Sequence, residues 1–261
     1  MKSYIDRIYK TRFFWTHLAK AELKYKFRRS KLGILWTFLN PLLLTLLMTI
    51  VFGTVFGMSY TDYAPYILSG LIVWELISSS VIGGGNTFLI ADPYIRQCNH
   101  PIIIYPLKSA LVNAGTFLIA VIALVIWMLF VAPQNILLGV ITIPLTTVLY
   151  FFLSWGIVII ASFINTKFRD YPQVMSLVMQ GLWYVSPVFF RGEMFKTNAY
   201  LEMLFNLNPI THILNLVREP FLYGRLPSPM SYLYTLSIIL VIWAIAIVKI
   251  KKEEKQVIFY L

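Results

Sequence analysis

Long apolar runs alternate with short polar segments along the whole of this 261-residue chain. Charged residues, proline, asparagine and glycine mark the ends of the runs, and one crossing of a hydrocarbon core takes about 20 helical residues. The pattern therefore predicts an all-α integral membrane protein with six transmembrane helices. They are expected near residues 34 to 57, 64 to 86, 109 to 131, 136 to 164, 173 to 190 and 231 to 248.

The longest neutral stretch, from Ser109 to Thr166, contains no Asp, Glu, Lys or Arg. It is too long for a single crossing, and Pro133, Gln134 and Asn135 lie near its middle. Proline lacks a backbone donor and asparagine tolerates turn geometry, so these residues predict a tight turn. We expect spans three and four to form a hairpin with almost no loop between them.

The composition indicates a membrane protein and leaves too few polar residues for a sizeable aqueous domain. It is 59% hydrophobic and 13% charged, with a mean hydropathy of +0.74, whereas soluble domains are near half apolar and a quarter charged. We expect one transmembrane domain over residues 1–261: an interfacial helix (1–31), spans one to five (34–190), an external gate segment (191–229), and span six with a cytoplasmic tail (231–261). The lone Cys98 excludes an internal disulfide.

Basic residues predict the orientation, because lysine and arginine concentrate in cytoplasmic loops near span ends. Eighteen of the 22 lie in the two terminal segments and two loops on one side, against four on the other. The chain is therefore expected in the cytoplasmic (inner) membrane with both termini in the cytoplasm. The net charge of +11 is interpreted as orientation and contact with membrane lipid, with no nucleic-acid partner.

The first 31 residues combine an apolar stripe with flanking lysines. Phe14, Leu18, Ala21 and Tyr25 recur at helical spacing, a pattern typical of a helix lying in the headgroup region. The alternative is a basic anchor that only fixes orientation. The candidate residues of this interfacial helix are Phe14, Leu18, Tyr25 and Arg28.

A short helix is expected in the loop between spans two and three. Asp92 can cap a helix that Pro93 opens and that ends before Pro101. Such a helix, fused to two spans, could transmit movement from an energy-supplying partner protein in the cytoplasm, or it could be an ordinary connecting helix. Its candidate residues are Asp92, Pro93, Tyr94, Ile95, Arg96 and Gln97.

The next loop on this side, Asn165 to Pro172, is short enough for a tight turn. Arg169 and Asp170 are its candidate functional residues. Local ion pairing between such neighbours is the alternative interpretation.

Glu75 is the one carboxylate inside a predicted span, and ionisable groups in lipid usually face a pathway or a partner. Aromatic residues make up 16% of the chain. Most are expected in interface belts or helix packing, whereas a minority could stack their flat faces on sugar rings along a path. The candidates for such a path are Trp36, Phe38, Trp74, Glu75, Trp183 and Tyr184.

The segment from Arg191 to Pro229 mixes apolar and charged residues, and Asn208-Pro209 divides it. It predicts two short re-entrant helices, which are tolerated where their ends are buried in protein or face water. They could form an external gate, or be interfacial helices without a gating role. The candidate gate residues are Asn208, Pro209, His212, Arg218 and Glu219.

The sequence lacks the motifs of an enzyme that acts without a partner subunit. Gly83, Gly84 and Gly85 are followed by Asn86, so the glycines do not belong to a phosphate-binding loop with its Lys-Ser or Lys-Thr pair. The three histidines lie in separate segments, and no metal site is expected. The chain is predicted to be no enzyme and to hold no cofactor.

Short motifs in order along nearly the whole chain resemble the permease subunits of ABC-2 polysaccharide exporters. They are Lys31-Leu32-Gly33-Ile34-Leu35-Trp36 with Asn40-Pro41, Phe168-Arg169-Asp170, Ser186-Pro187-Val188, and Asn208-Pro209 with Arg218-Glu219. The resemblance implies a homodimer bound to two copies of a separate ATPase subunit, which binds the ATP and Mg. It implies export of a glycan linked to undecaprenyl pyrophosphate, above all lipopolysaccharide O-antigen.

The resemblance also assigns roles to segments whose function pattern alone leaves open. It makes the helix from Asp92 the coupling helix on the ATPase, and the segment from Leu201 to Tyr223 the external gate. Near alternatives are teichoic acid or capsule export, followed by an ABC-2 drug or lipid exporter. A membrane-embedded glycosyl-lipid enzyme ranks last, since Glu75 stands alone within the spans.

Overall fold

The computed structural model describes residues 2–27, 31–98, 100–191 and 208–261, and regular structure within these ranges is entirely helical. The helices are α1 (Lys2–Lys10), α2 (Arg12–Phe27), α3 (Leu35–Phe56), α4 (Tyr60–Ser78), α5 (Thr87–Gln97), α6 (Ile104–Val131), α7 (Ile136–Lys167), α8 (Tyr171–Val185), α9 (Pro209–Tyr223), α10 (Pro229–Glu253) and α11 (Val257–Tyr260). A π-helical turn, Ser79–Gly83, follows α4, and a 3-10 turn, Pro133–Asn135, precedes α7.

Five helical segments are long and apolar enough to cross a membrane in the described part of the chain: Leu35–Val55, Tyr60–Gly83, Ile104–Val131, Pro133–Lys167 and Pro229–Glu253. They correspond to predicted spans one to four and six, which confirms an all-helical membrane protein.

The predicted fifth span differs from this set. Its helix, α8, has 15 residues, or about 22 Å at 1.5 Å per residue, whereas the hydrocarbon core is about 30 Å thick. The helix ends before Ser186, whose backbone is extended. A sixth crossing therefore stays a prediction.

The predicted hairpin between α6 and α7 is confirmed. Pro133–Asn135 form a single 3-10 turn, and the helices on either side pack along their length. The amide of Asn135 also donates to the Leu222 carbonyl at 3.2 Å, which connects this turn to the end of α9.

The core is centred on α4, which is buried on nearly all sides from Tyr63 to Trp74. It packs between α3, α6 and α9. A second apolar cluster lies at the start of α6, where α2 and α5 meet the last turns of α7 and α10. We call this the α5 end of the bundle.

Helix α5 begins earlier than predicted. Asp92 was expected to cap a helix opened by Pro93, but α5 starts at Thr87 after a one-residue turn at Asn86, and both residues lie inside it. The reason is that the chain runs almost without interruption from α4 through the π turn, so no new helix start is needed at Asp92. The side-chain amide of Asn165, on α7, holds the turn in place. It donates to the Gly85 carbonyl at 3.0 Å and to Asn86 Oδ1 at 3.1 Å.

The predicted break at Asn208-Pro209 is confirmed as a helix start. Asn208 Oδ1 accepts from the Ile210 amide at 2.9 Å, and Pro209 is the first residue of α9. The first predicted gate helix, near 201–207, lies outside the described residues. Helix α9 is buried from Ile213 to Phe221 apart from Asn215, packed against α4, α7 and α10, so it lies within the bundle rather than along its surface.

Candidate functional site

A cavity of about 470 Å³ lies between α3, α4, α6 and α8. Four of the six predicted path residues line it: Trp36, Trp74, Glu75 and Trp183. The other two are not in the lining. Phe38 is half-buried, and Tyr184 is 56% exposed with its ring against Trp183 and Phe189.

Polar side chains accompany the tryptophans in the cavity wall. They are Thr37, Asn40, Glu75, Ser79, Asn113 and Thr116. Glu75 is exposed, and Ser79 Oγ donates to its Oε1 at 3.1 Å. The wall thus combines tryptophan side chains and hydrogen-bonding groups in one concave space, the usual composition of a small-molecule site.

Sequence reasoning missed Asn113, which ties three helices together beside the cavity. Its amide donates to Ser80 Oγ at 3.1 Å and to Ser154 Oγ at 3.2 Å, and the two hydroxyls are 2.7 Å apart. The sequence did contain a signal for Asn113, because an amide side chain inside a long neutral stretch is costly in lipid unless it has hydrogen-bond partners. The neighbouring π turn is a feature that occurs frequently at functional sites.

Arg218, one of the candidate gate residues, is buried and binds backbone carbonyls. Its Nη1 donates to the Pro187 carbonyl at 2.6 Å, and its Nη2 donates to the carbonyls of Val188 at 2.8 Å and Tyr66 at 3.2 Å. Its Nε reaches Ser69 Oγ at 3.4 Å. These contacts, which we call the Arg218 clamp, fix α9 to α4 and to the chain after α8.

The remaining gate candidates shape the ends of α9. Glu219 is buried and accepts from Arg225 Nη2 at 3.2 Å and from the Ser228 amide at 2.6 Å, which closes the turn into α10. His212 stacks on Tyr234, with ring centroids 4.1 Å apart. Burial lowers the pKa of His212, although the charge of Glu219 opposes this shift.

Three motifs that are distant in sequence meet where the chain leaves α8 and packs against α9. Asn208 donates to Ser186 Oγ at 3.3 Å, and Arg218 binds the two carbonyls that follow Ser186. The Ser-Pro-Val, Asn-Pro and Arg-Glu motifs therefore form one contact network, which their separate positions in the sequence did not indicate.

At the α5 end of the bundle, helix α5 presents a polar surface. Asp92 and Arg96 pair at 2.7 Å, and Pro93, Tyr94, Arg96 and Gln97 are exposed, whereas Asp92 and Ile95 are half-buried.

Helix α2, which contains three of the four candidate residues of the predicted interfacial helix, touches α5 through Phe14. The Phe14 ring lies against Tyr94 with centroids 6.0 Å apart and against His100 at 4.8 Å. Leu18 packs in the same apolar cluster. Of the other two candidates, Tyr25 lies on α2 with its side chain outside the described part, and Arg28 is outside the described residues.

The loop residues at this end do not pair with each other. Arg169 Nη2 donates to the Tyr260 carbonyl at 2.8 Å, and Asp170 is exposed before α8. Among the described residues Asp170 makes no ion pair, so the local pairing considered from the sequence is not found. Arg169 connects the loop to the last residues of the chain.

No group of three or more metal-ligating side chains occurs in the portion of the chain that the structure describes. The cavity wall offers tryptophan, amide, hydroxyl and carboxylate groups.

Comparison with known proteins matches residues 14–222 to the family described as ABC-2 type transporter. The chain is 25% identical over 231 residues to an O-antigen export system permease protein RfbA of Klebsiella pneumoniae, covering 88% of each chain. It is 25% identical over 253 residues to the protein of the same name from Myxococcus xanthus, covering 96% of each. It is 22% identical over 241 residues to the polysialic acid transport protein KpsM of Escherichia coli, covering 89% of this chain and 91% of the relative. The family match spans most of the helical bundle, including the cavity and the Arg218 clamp, and this chain is a member of the ABC-2 type transporter family.

Proposed function

We propose that this chain is the permease subunit of an ATP-driven exporter of undecaprenyl-linked polysaccharide, with lipopolysaccharide O-antigen as the first candidate substrate. The observation that carries the proposal is the cavity, in which Trp36, Trp74 and Trp183 share a wall with amide and hydroxyl groups. Sugars present C–H faces to aromatic rings and hydroxyls to polar groups, so this lining suits a glycan. The full-length similarity to proteins named as O-antigen and polysialic acid exporters supports the same substrate class.

Coupling to ATP is proposed to act through α5. A nucleotide can bias the permease only if its two states make different contacts with it, and α5 offers an exposed polar surface around Asp92 and Arg96. Two copies of a separate ATPase subunit would seat on a homodimer of this chain. The ATP and Mg would be bound by those subunits.

Six crossings with both termini in the cytoplasm are proposed for the membrane arrangement. Helix α8 is short, but the chain after it, Ser186 to Phe189, is buried. Non-helical backbone is tolerated at membrane depth where protein buries it and satisfies its polar groups, and Arg218 binds the carbonyls of Pro187 and Val188. The fifth crossing is proposed to be completed by this buried turn, which Arg218 holds in place.

The test combines gene deletion with co-purification. The chain is tagged and purified in mild detergent, and the proteins that accompany it are identified by mass. Surface glycans of the deletion strain are compared with those of the strain complemented by the wild-type chain. Equal amounts of a soluble ATPase and loss of one surface glycan are expected. A full set of surface glycans without the chain would contradict polysaccharide export, and reproducible absence of any ATPase would contradict ATP-driven coupling.

A further inference from the structure

We propose that the glycan carried by this chain is uncharged, without a carboxylate or phosphate in its repeat. This inference rests on the proposed function and narrows its substrate class. It follows from the charges of the cavity wall. Among the described residues that line the cavity, Glu75 is the one ionisable side chain, and lysine, arginine and histidine do not occur in the lining.

The Glu75 carboxylate is available to a bound molecule. Its side chain is exposed, and the one hydrogen bond that it accepts within the described structure comes from Ser79 Oγ. A carboxylate has about four acceptor sites on its two oxygens, so most of them are open to the hydroxyl donors of a sugar. A second carboxylate would meet this group without a cation to offset the repulsion.

The apolar part of the wall adds to the same preference. Leu44, Leu71 and Ile72 line the cavity together with Glu75. A charged group that leaves water for an apolar surface loses hydration that such side chains do not replace. An anion therefore gains no compensating contact from this part of the wall.

Acidic polymers are the class that this wall disfavours. Polysialic acid carries a carboxylate on every sugar, so each repeat would pass close to Glu75 in turn. A neutral polymer would instead use Glu75 as a hydrogen-bond acceptor, with Asn40 offering both donor and acceptor groups. The shared helical architecture is compatible with either cargo, and the charge of the wall distinguishes them.

The first experiment determines the composition of the surface glycan that is lost when the chain is deleted and restored by complementation. A repeat without uronic acid, sialic acid or phosphate is expected. A charged group in every repeat would overturn the inference while leaving polysaccharide export intact. If deletion removed no glycan, the proposed function itself would fail, and the two failures are thereby distinguished.

The second experiment measures the local potential directly and does not depend on export. Ser79→Cys is introduced into a Cys98→Ser background, and its reaction rates with positively and negatively charged methanethiosulfonate reagents are normalised to those of free cysteine. A negative potential of one kT predicts a rate ratio of about seven in favour of the positive reagent. Adding Glu75→Gln should lower this ratio towards one.

The matched control is Asp62→Asn, which removes an exposed carboxylate at the start of α4, outside the cavity lining. It should leave the ratio unchanged. Equal rates for the two reagents in the presence of Glu75, or faster reaction of the negative one, would overturn the inference. So would a ratio that Glu75→Gln does not alter.

Discussion

The guanidinium of Arg218 lies 3.7 Å from the centre of the Tyr66 ring, while its Nη2 binds the carbonyl oxygen of the same tyrosine at 3.2 Å. A charged side chain 2% exposed is costly unless its donors are satisfied. Here three carbonyls, one hydroxyl and one aromatic face surround it. The cation is thus the element that holds α9, α4 and the chain after α8 in one arrangement.

Arg218→Lys is expected to destabilise the protein strongly. Lysine keeps the charge but cannot reach the spread of acceptors that the planar guanidinium serves, and each lost hydrogen bond to a charged group costs about 1.5–3 kcal/mol. A total loss of about 3 kcal/mol would lower the thermal unfolding midpoint by about 6 to 12 °C. The midpoint is measured in detergent by size-exclusion chromatography after heating.

Arg225→Lys is the control for this substitution. The Arg225 side chain is 67% exposed and pairs with Glu219 at 3.2 Å, an interaction that lysine can retain. Its midpoint should lie within about 1 °C of the wild type. An Arg218→Lys protein as stable as the control would show that the clamp contributes little.

Gly70→Ala should disrupt the same clamp by crowding. A methyl group at this position would lie 2.5 Å from the Val188 carbonyl oxygen and 2.7 Å from Arg218 Nη2. We expect a loss of about 1–3 kcal/mol. Because both substitutions damage one network, Gly70→Ala combined with Arg218→Lys should cost less than the sum of the two single changes.

Gly181→Ala is the matched control for Gly70→Ala. Gly181 lies on α8 and a methyl group there meets no atom within 4 Å. Alanine is the better helix former by about 1 kcal/mol, so this variant should be as stable as the wild type or more stable. Equal midpoints for the two alanine variants, or strictly additive losses, would argue against crowding at the clamp.

Asp92→Ala combined with Arg96→Ala tests the coupling surface. The pair is exposed, with side chains 32% and 53% accessible, and such ion pairs contribute about 0.2–1 kcal/mol. Membrane insertion and thermal stability should therefore be preserved, while surface glycan should disappear because ATPase movement is no longer transmitted. Surface glycan is quantified by immunoblot, alongside the amount of permease in the membrane.

A second exposed pair at helical spacing provides the control. Lys10 and Asp6 of α1 are joined at 3.0 Å with side chains 72% and 57% accessible. Replacing both by alanine should leave export unchanged. Normal export by the Asp92 and Arg96 double variant would make the coupling assignment wrong.

Glu22→Gln should loosen α2 from α6. Lys108 is buried with a side chain 9% accessible, and its Nζ lies 2.5 Å from Glu22 Oε2, so removing the carboxylate strands a buried cation. A loss of about 1–2 kcal/mol for this contact raises the open population five- to thirty-fold, and proteolysis follows that population. Trypsin cleavage after Lys20 and Lys24 is measured in proteoliposomes.

The exchange Glu22→Lys with Lys108→Glu should partly restore protection, because it reinstates the pair in the opposite orientation. Asp6→Asn, which breaks an exposed pair on α1, should leave the cleavage rate unchanged. Unaltered cleavage in Glu22→Gln would show that the apolar contacts of α2 alone hold it in place.

Apolar run length and turn residues were sufficient to predict five of the spanning helices, the hairpin at Pro133–Asn135 and the start of α9 at Pro209. These features depend on local chemistry, which the sequence displays. Trp36, Trp74, Glu75 and Trp183 were named from the sequence as candidates for a glycan path, and the structure places all four in the lining of one cavity. Their role in a glycan path stays a prediction.

The start of α5 and the role of Arg218 could not be predicted in the same way. Asp92 and Pro93 have the composition of a helix start, yet they lie inside α5, since the chain is already helical when it reaches them. The contacts of Arg218 were not evident from the sequence, because its partners are the backbone carbonyls of Tyr66, Pro187 and Val188. Every residue carries such a carbonyl, so sequence does not indicate which ones a side chain will bind.

Asn165 binds Gly85 and Asn86, and this turn lies between the cavity wall at Glu75 and the polar surface of α5 at Asp92. The turn is therefore placed to act as a pivot between the two. Glu75 lies about 16 Å from Asn86 along the helix and Asp92 about 9 Å on the other side, at 1.5 Å per residue. If the segment turned as one rigid body, a displacement of 1 Å at Asp92 would move Glu75 by about 2 Å. The unequal distances would convert a small displacement of α5 into a larger displacement of the cavity wall at Glu75.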